Sequence, residues 1–305
     1  MEDALNWGAG IVIWFQEFSP TLDLPFKVLT TMGGKEFFML LLPLVYWCVD
    51  RRIGMRLIVL FLLSGYINLV AKALADQPRP FQFDHQVEQL YRAWGGGFPS
   101  GHTQNSIVVW GYLALEFRRT WLWIVSGLLM VFIPLSRIYL GVHFPTDLLG
   151  GYVLGLAILL LSRRFEPAVG DWLGKKGLGR QIGAALIVPA FLFLIQPGTG
   201  EYGIPACATL LGIGLGFALE GTYAGFDPGG IWWVRVLRFM VGGGGIFFIW
   251  HGLKVTFSGL EPEPLFQFVR YSMVGLWAGF GAPWVFVRLD LAGTRLKDNE
   301  REMVQ

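Results

Sequence analysis

Ser136-Arg137-Ile138-Tyr139-Leu140-Gly141-Val142-His143-Phe144-Pro145-Thr146-Asp147 is the stretch around which the rest of the chain is organised. It places an arginine, a histidine and a carboxylate between one strongly apolar segment at about 121–135 and another at about 146–162. Ionisable groups are costly within hydrocarbon and tolerable at its edge, so this pattern reads as a polar turn between two membrane helices. His143 and Asp147 are four apart. If the second segment starts helically near Pro145, the carboxylate can reach one ring nitrogen of His143 and leave the other free. Arg137 lies six residues upstream, across a turn that Gly141 allows, where its planar fork suits anionic oxygens.

Composition agrees with a membrane setting. The 305 residues are 54% hydrophobic and 15% charged, with a mean hydropathy of +0.52, which excludes an ordinary soluble domain. A net charge of +2, with the basic residues in short scattered clusters, argues against a nucleic-acid partner. The two cysteines, Cys48 and Cys207, lie far apart in sequence and suggest neither a zinc site nor a disulfide framework. Met1-Glu2-Asp3-Ala4-Leu5 lacks the basic region that opens a cleaved signal, so insertion through uncleaved helices is expected.

One arginine is too little for a phosphate, and two further stretches supply more polar groups. Lys72 and Arg79 are seven apart, two helical turns, at the end of an apolar helix that Pro78 and Pro80 stop. Pro99-Ser100-Gly101-His102 stands immediately before another apolar segment. There Gly101 permits close backbone approach, the following amides open a helix, and Ser100 adds a hydroxyl, all suited to an anion. Taken together, these three blocks resemble the tripartite signature of the type 2 phosphatidic acid phosphatase superfamily: Lys72 with six residues before Arg79-Pro80, then Pro99-Ser100-Gly101-His102, then Ser136-Arg137 with five residues before His143 and three more before Asp147. The resemblance covers about the first half of the chain.

In chain order, residues 4–18 form either a marginal span or an interfacial helix. Residues 20–35, with Pro20, Pro25 and Gly33-Gly34, read as a loop or a broken helix. Further apolar segments are expected at about 37–49, 53–75, 103–117, 121–135, 146–162, 181–196, 204–219, 231–253 and 265–287. The expectation is an all-α polytopic bundle of nine or ten helices, with a six-helix core over 1–165 and an accessory transmembrane module over 166–305. Gly212 and Gly216 have the spacing of a close helix contact. Residues 76–99, with a Gly95-Gly96-Gly97 run, form the natural lid, in which His85 and Tyr91 match no signature position and Asp84 and Glu88 read as solvated loop charges. Glu220, Arg235 and Lys254 read as interfacial anchors, and His251 is left open. Arg51-Arg52, Arg118-Arg119 and Arg163-Arg164 with Lys175-Lys176 all fall on the side opposite the three blocks, as do Arg288, Arg295, Lys297 and Arg301. The positive-inside rule makes that side cytoplasmic and turns the site outward.

What the resemblance implies is a membrane lipid phosphatase that uses no metal or other cofactor. His143 would be the nucleophile, Asp147 its orienting carboxylate and His102 the acid, with Lys72, Arg79, Ser100, Gly101 and Arg137 holding the phosphate. The substrate class is a lipid phosphate such as phosphatidate, phosphatidylglycerol phosphate, a polyprenyl diphosphate or a sphingoid phosphate, taken from the bilayer of a bacterial inner membrane. A phosphotransferase with the same site, a lipid transporter or flippase, and a vanadate haloperoxidase are the alternatives. No residue pattern speaks to oligomeric state.

Overall fold

A computed structural model describes residues 2–174, 177–195 and 203–295. They fold into α1 (Glu2–Gln16), α2 (Asp23–Thr31), α3 (Lys35–Cys48), α4 (Arg51–Ala75), α5 (Pro80–Phe83), α6 (Gly101–Phe117), α7 (Thr120–Tyr139), α8 (Pro145–Gly174), α9 (Gly177–Ile195), α10 (Gly203–Tyr223), α11 (Trp232–Thr256), α12 (Glu263–Leu276) and α13 (Ala282–Arg288). A π-helical turn, Trp277–Gly281, joins α12 to α13. Two short antiparallel strands, β1 (Phe226–Asp227) and β2 (Gly293–Thr294), pair Phe226 with Thr294. Within the described residues each expected apolar segment is helical, that at 265–287 as α12, the π turn and α13, and the chain is an all-α polytopic membrane protein. Among the described residues six helices are long and apolar enough to cross a membrane, and the α2–α3 pair, bent by 46°, can make a seventh. Lys175, Lys176, Lys297 and Arg301 lie outside the described residues.

The stretch that read as a loop or broken helix is the broken helix, with Met32, Gly33 and Gly34 at its elbow. α8 runs well past Arg163-Arg164, so those arginines sit within a helix and not at its end. At 1.5 Å per residue α1 is about 22 Å long, short of a hydrocarbon core of about 30 Å. It lays Leu5, Ala9 and Val12 into a buried cluster with Val87, Ile138, Phe144 and Leu148.

The chain divides into two compact units. One takes in the described residues up to Met39 with Leu63–Glu166, the other Leu40–Leu62 with the described residues from Pro167 onward. In the first, α6 packs on α7 and on the small-residue face of α8, while Leu149, Val153, Leu156 and Leu160 stand exposed along α8 as a lipid-facing stripe. In the second, α10 packs on α9 and α12. A Cβ added at Gly212 would lie 2.0 Å from the Ser272 carbonyl oxygen, and one at Gly216 would lie 2.9 Å from the Gly279 Cα, so the expected close contact is made.

Glu220 departs from its anchor reading. It is fully buried and takes a hydrogen bond of 2.6 Å from Arg51 Nε and one of 2.8 Å from the Phe226 amide. The pairing partner is 169 residues away in sequence, beyond the reach of local inspection. Arg235 and Lys254 are exposed, and Lys254 stands 5.2 Å from the Trp250 ring centre, as interfacial side chains do. His251 is exposed and stacks on Phe247. Arg238, which carried no sequence signal, is fully buried and donates to the Trp47 carbonyl at 2.7 Å.

Candidate active site

Four helix ends of the first unit converge, and small and neutral polar residues determine how closely. On α8, a Cβ at Gly151 would come within 2.7 Å of the Ser100 carbonyl oxygen, and one at Gly155 within 2.9 Å of that of Gln104. Only glycine lets α6 and α8 approach this far. Between α4 and α6, Asn68 Nδ2 donates to Gln104 Oε1 at 2.9 Å and Gln104 Nε2 donates to the Ser64 carbonyl at 2.8 Å. All three side chains are buried, so the bonds fix the register of the two helices. Ser100 caps α6, its hydroxyl accepting from the Thr103 amide at 3.4 Å, while its own amide donates to the Asp147 carbonyl at 2.9 Å. The first turns of α6 and α8 are thereby locked together.

On this frame His143 and Asp147 meet as their spacing predicts. Nδ1 of His143 lies 3.0 Å from Oδ2 of Asp147, which also accepts the Phe144 amide at 2.9 Å. Oδ1 accepts from Gln77 Nε2 at 2.6 Å, so the carboxylate is held on both oxygens. Nε2 of His143 faces Arg79 Nη1 at 3.3 Å. A neutral ring with its proton on Nδ1 satisfies both contacts, since Nδ1–H donates to Asp147 and Nε2 accepts from Arg79. Burial, and after it the positive charges of Lys72, Arg79 and Arg137, hold the His143 imidazole well below its ordinary pKa.

The three cations gather as the three blocks implied, and each has a defined setting. Arg79 donates from Nε to the Gly95 carbonyl at 2.9 Å, from Nη2 to that of Trp94 at 2.7 Å and from Nη1 to that of Val142 at 2.7 Å. Lys72 Nζ donates to the carbonyls of Gly96 at 2.6 Å and Gly97 at 3.1 Å. The loop that read as a lid is thus tied by its backbone to both cations. Gly141, with φ of +73°, makes the turn between Arg137 and His143, and a Cβ there would lie 2.1 Å from the Glu88 carbonyl oxygen. Arg137 donates from Nη1 to the Thr30 hydroxyl, and its guanidinium carbon stands 5.1 Å from the centre of the Tyr91 ring. Tyr91 therefore belongs to the site although it matches no signature position. Nε of Arg137 and Nε2 of His102 are buried without a hydrogen-bond partner among the described residues. At Gly101 a Cβ would meet Asn68 Oδ1 at 2.9 Å, so this glycine serves the packing of α6 on α4.

Gln77, Thr30 and the Ser64–Asn68–Gln104 set carried no signal in the sequence. Neutral polar residues inside apolar helices have no characteristic spacing, and their partners lie on other helices. Gln77 alone was within reach, lying two residues before Arg79 inside the first block.

An imidazole backed by a carboxylate and ringed by cations can accept a phosphoryl group. Residues 53–171 match the family model described as PAP2 superfamily, and residues 204–294 match that of the PAP2 superfamily phosphatase transmembrane extension. The chain is 27% identical over 163 residues to phosphatidylglycerophosphatase B of Bacillus subtilis (strain 168), across 49% of this chain and 78% of that protein. It is 34% identical over 118 residues to the undecaprenyl-diphosphatase of Sulfolobus acidocaldarius, across 38% of this chain and 56% of the relative. It is 22% identical over 307 residues to sphingosine-1-phosphate phosphatase 1 of Mus musculus, across 84% of this chain and 70% of the relative. A crystal structure of a transmembrane PAP2-type phosphatidylglycerolphosphate phosphatase from Bacillus subtilis superposes with a TM-score of 0.47 at 25% identity, covering 55% of this chain and 89% of that one. With one family model over the helices that carry the three blocks and its companion over the helices that follow, the chain belongs to the PAP2 superfamily of membrane phosphatases.

Proposed function

We propose that the protein removes phosphate from a phosphorylated membrane lipid at the extracytoplasmic face, through a phosphohistidine on His143 and without a metal. The observation that carries this reading is the setting of His143. One ring nitrogen is committed to a carboxylate fixed by the Phe144 amide and Gln77, and the other opens toward Arg79 with Lys72 and Arg137 near enough to act on the ring. In the first step the Nε2 lone pair attacks phosphorus in line, the N–P bond forms and the P–O bond to the lipid breaks. His102 gives the departing oxygen its proton. Arg79 turns its Nη1–H from His143 to a phosphoryl oxygen, which frees the lone pair when substrate arrives. Lys72, Arg137 and the amides that follow Ser100 and Gly101 share the charge on the equatorial oxygens. In the second step water attacks phosphorus, gives its proton to His102, and the N–P bond breaks. Asp147 keeps the ring oriented and stabilises its positive charge in both steps.

The orientation rests on charge. Along α6 and α8, Arg118-Arg119 and Arg163-Arg164 lie at least 16 residues from His102 and Asp147, about 24 Å at 1.5 Å per residue. An arginine-rich end opposite the site is the cytoplasmic one by the positive-inside rule. Residues 166–305 then serve as an accessory membrane module to the catalytic core of 1–165, in a bacterial inner membrane. Relatives named for phosphatidylglycerophosphate, undecaprenyl diphosphate and sphingosine-1-phosphate set the substrate panel. Phosphate release by purified protein is to be followed with chelator present on phosphatidate, phosphatidylglycerol phosphate, undecaprenyl diphosphate, sphingosine-1-phosphate and glucose 6-phosphate. Release from one lipid that is lost in His143→Ala is the expected result. Transfer of the phosphoryl group to a lipid-sugar acceptor, with no inorganic phosphate released in its absence, would make the protein a phosphotransferase, and a dependence on added metal would overturn the mechanism.

A further inference from the structure

We propose that Thr30 is a positioning residue for Arg137, and that the α2–α3 elbow is a wall of the active site lying outside all three signature blocks. The inference rests on the assignment of Arg137 to the phosphate and goes on to ask what holds it there. Arg137 is 2% exposed and has no carboxylate partner among the described residues. Its orientation is set by the hydrogen bond from Nη1 to the Thr30 hydroxyl and by the Tyr91 ring, which leaves its Nε–H without a partner. Thr30 is fully buried and lies upstream of residues 53–171, where the family match falls.

The elbow is held in place independently of that hydrogen bond. Asp23 accepts from the Tyr139 hydroxyl at 2.7 Å, and Phe26 stacks on the Tyr139 ring at 4.5 Å. Residues 23, 26 and 30 share one face of α2 by their spacing of three and four, and that face runs along the last turn of α7. A valine at position 30 keeps the branched shape of threonine and removes the hydroxyl that accepts from Arg137. The same elbow gives His102 its room, since a Cβ at Gly33 would fall 3.2 Å from His102 Cδ2 and 2.4 Å from Ile133 Cγ2. Two site residues from two different signature blocks thus rest against one elbow.

The test is a mutant cycle on the full-length protein, using the lipid that the panel above shows to be turned over fastest and inorganic phosphate as competing anion. Thr30→Val is expected to lower kcat/KM about tenfold to a hundredfold, the loss that follows removal of a hydrogen bond to a charged group. It should weaken inhibition by inorganic phosphate in parallel, beyond the few degrees of melting temperature that one buried donor left without its acceptor costs. Thr30→Ser should restore kcat/KM to within about threefold, and adding Thr30→Val to Arg137→Ala should cost no more than about twofold, because coupled residues are not additive. Wild-type kinetics in Thr30→Val, or losses that add in full, would overturn the proposal. Should Thr30→Val fail to fold, Thr30→Ala decides in its place, and undiminished phosphate inhibition in that variant sinks the idea. Full activity in Arg137→Ala would instead bring down the assignment of Arg137 itself, and this inference with it.

Discussion

Asp147 shows how much of the site's precision comes from one carboxylate. It accepts from His143, from the Phe144 amide and from Gln77, and it is fully buried. Gln77 touches neither His143 nor a cation in these contacts, so its effect passes through Asp147. Gln77→Ala should therefore lower kcat about tenfold or more, the cost of leaving a buried charged acceptor short of a donor, while KM stays near its original value. Steady-state kinetics on the best lipid substrate check this. His143 carries a second consequence. It faces Asp147 and Arg79 directly, with Lys72, Arg137 and His102 acting on it electrostatically, and its imidazole is held below its ordinary pKa. On unfolding it regains a value of about 6.5, so between the two values the unfolded chain binds more protons than the folded one. This contribution to stability is complete above about pH 6.5 and is lost as the pH falls. The melting temperature in detergent should drop between about pH 7.5 and 5.5, and drop less in His143→Gln, where His102 remains and only the one ring is gone.

At the scale of elements, the site depends on helices brought unusually close and then registered by neutral polar groups. The close contact that Gly212 and Gly216 make in the second unit was legible from their four-residue spacing, whereas Gly151 and Gly155, which bring α8 onto α6 at the site, have the same spacing and were not singled out. Ser64, Asn68 and Gln104 were not legible, because a hydrogen bond between α4 and α6 leaves no periodic trace in either segment. Glu220 is the plainest case of a misreading. A carboxylate near a helix end reads as an anchor until its partner Arg51 is seen to lie beside it. Its side chain has no exposure and that of Arg51 only 14%. Glu220→Ala would leave a largely buried guanidinium and the Phe226 amide without their acceptor. It should destabilise the protein by about 3–5 kcal/mol, seen as a lower melting temperature, while activity per folded molecule is unchanged. An unaltered melting temperature would mean that the pair is solvated.

For the whole molecule, an all-α membrane bundle followed from long apolar runs punctuated by arginines. The candidate site was legible because Lys72, Arg79, Arg137, His102, His143 and Asp147 are ionisable residues at helix ends, where each stands out against apolar surroundings. The elbow at Thr30 and the Tyr91 ring were hidden, since their roles arise only when α2 and the loop before α6 fold against α7. Orientation is a property of the entire chain. A cysteine at exposed His85 should be labelled by a membrane-impermeant maleimide in sealed cells, and one at exposed Arg119 only after permeabilisation, with the native Cys48 and Cys207 silent because they are buried. The opposite pattern would place the site in the cytoplasm. The decisive measurement is to quench the wild-type protein soon after mixing it with a lipid labelled in its phosphate and to locate the label by mass spectrometry. An acid-labile, alkali-stable phosphohistidine at His143 is expected, absent in His143→Ala. Phosphate release in His143→Ala at the wild-type rate, with no labelled protein in either form, would overturn the covalent mechanism.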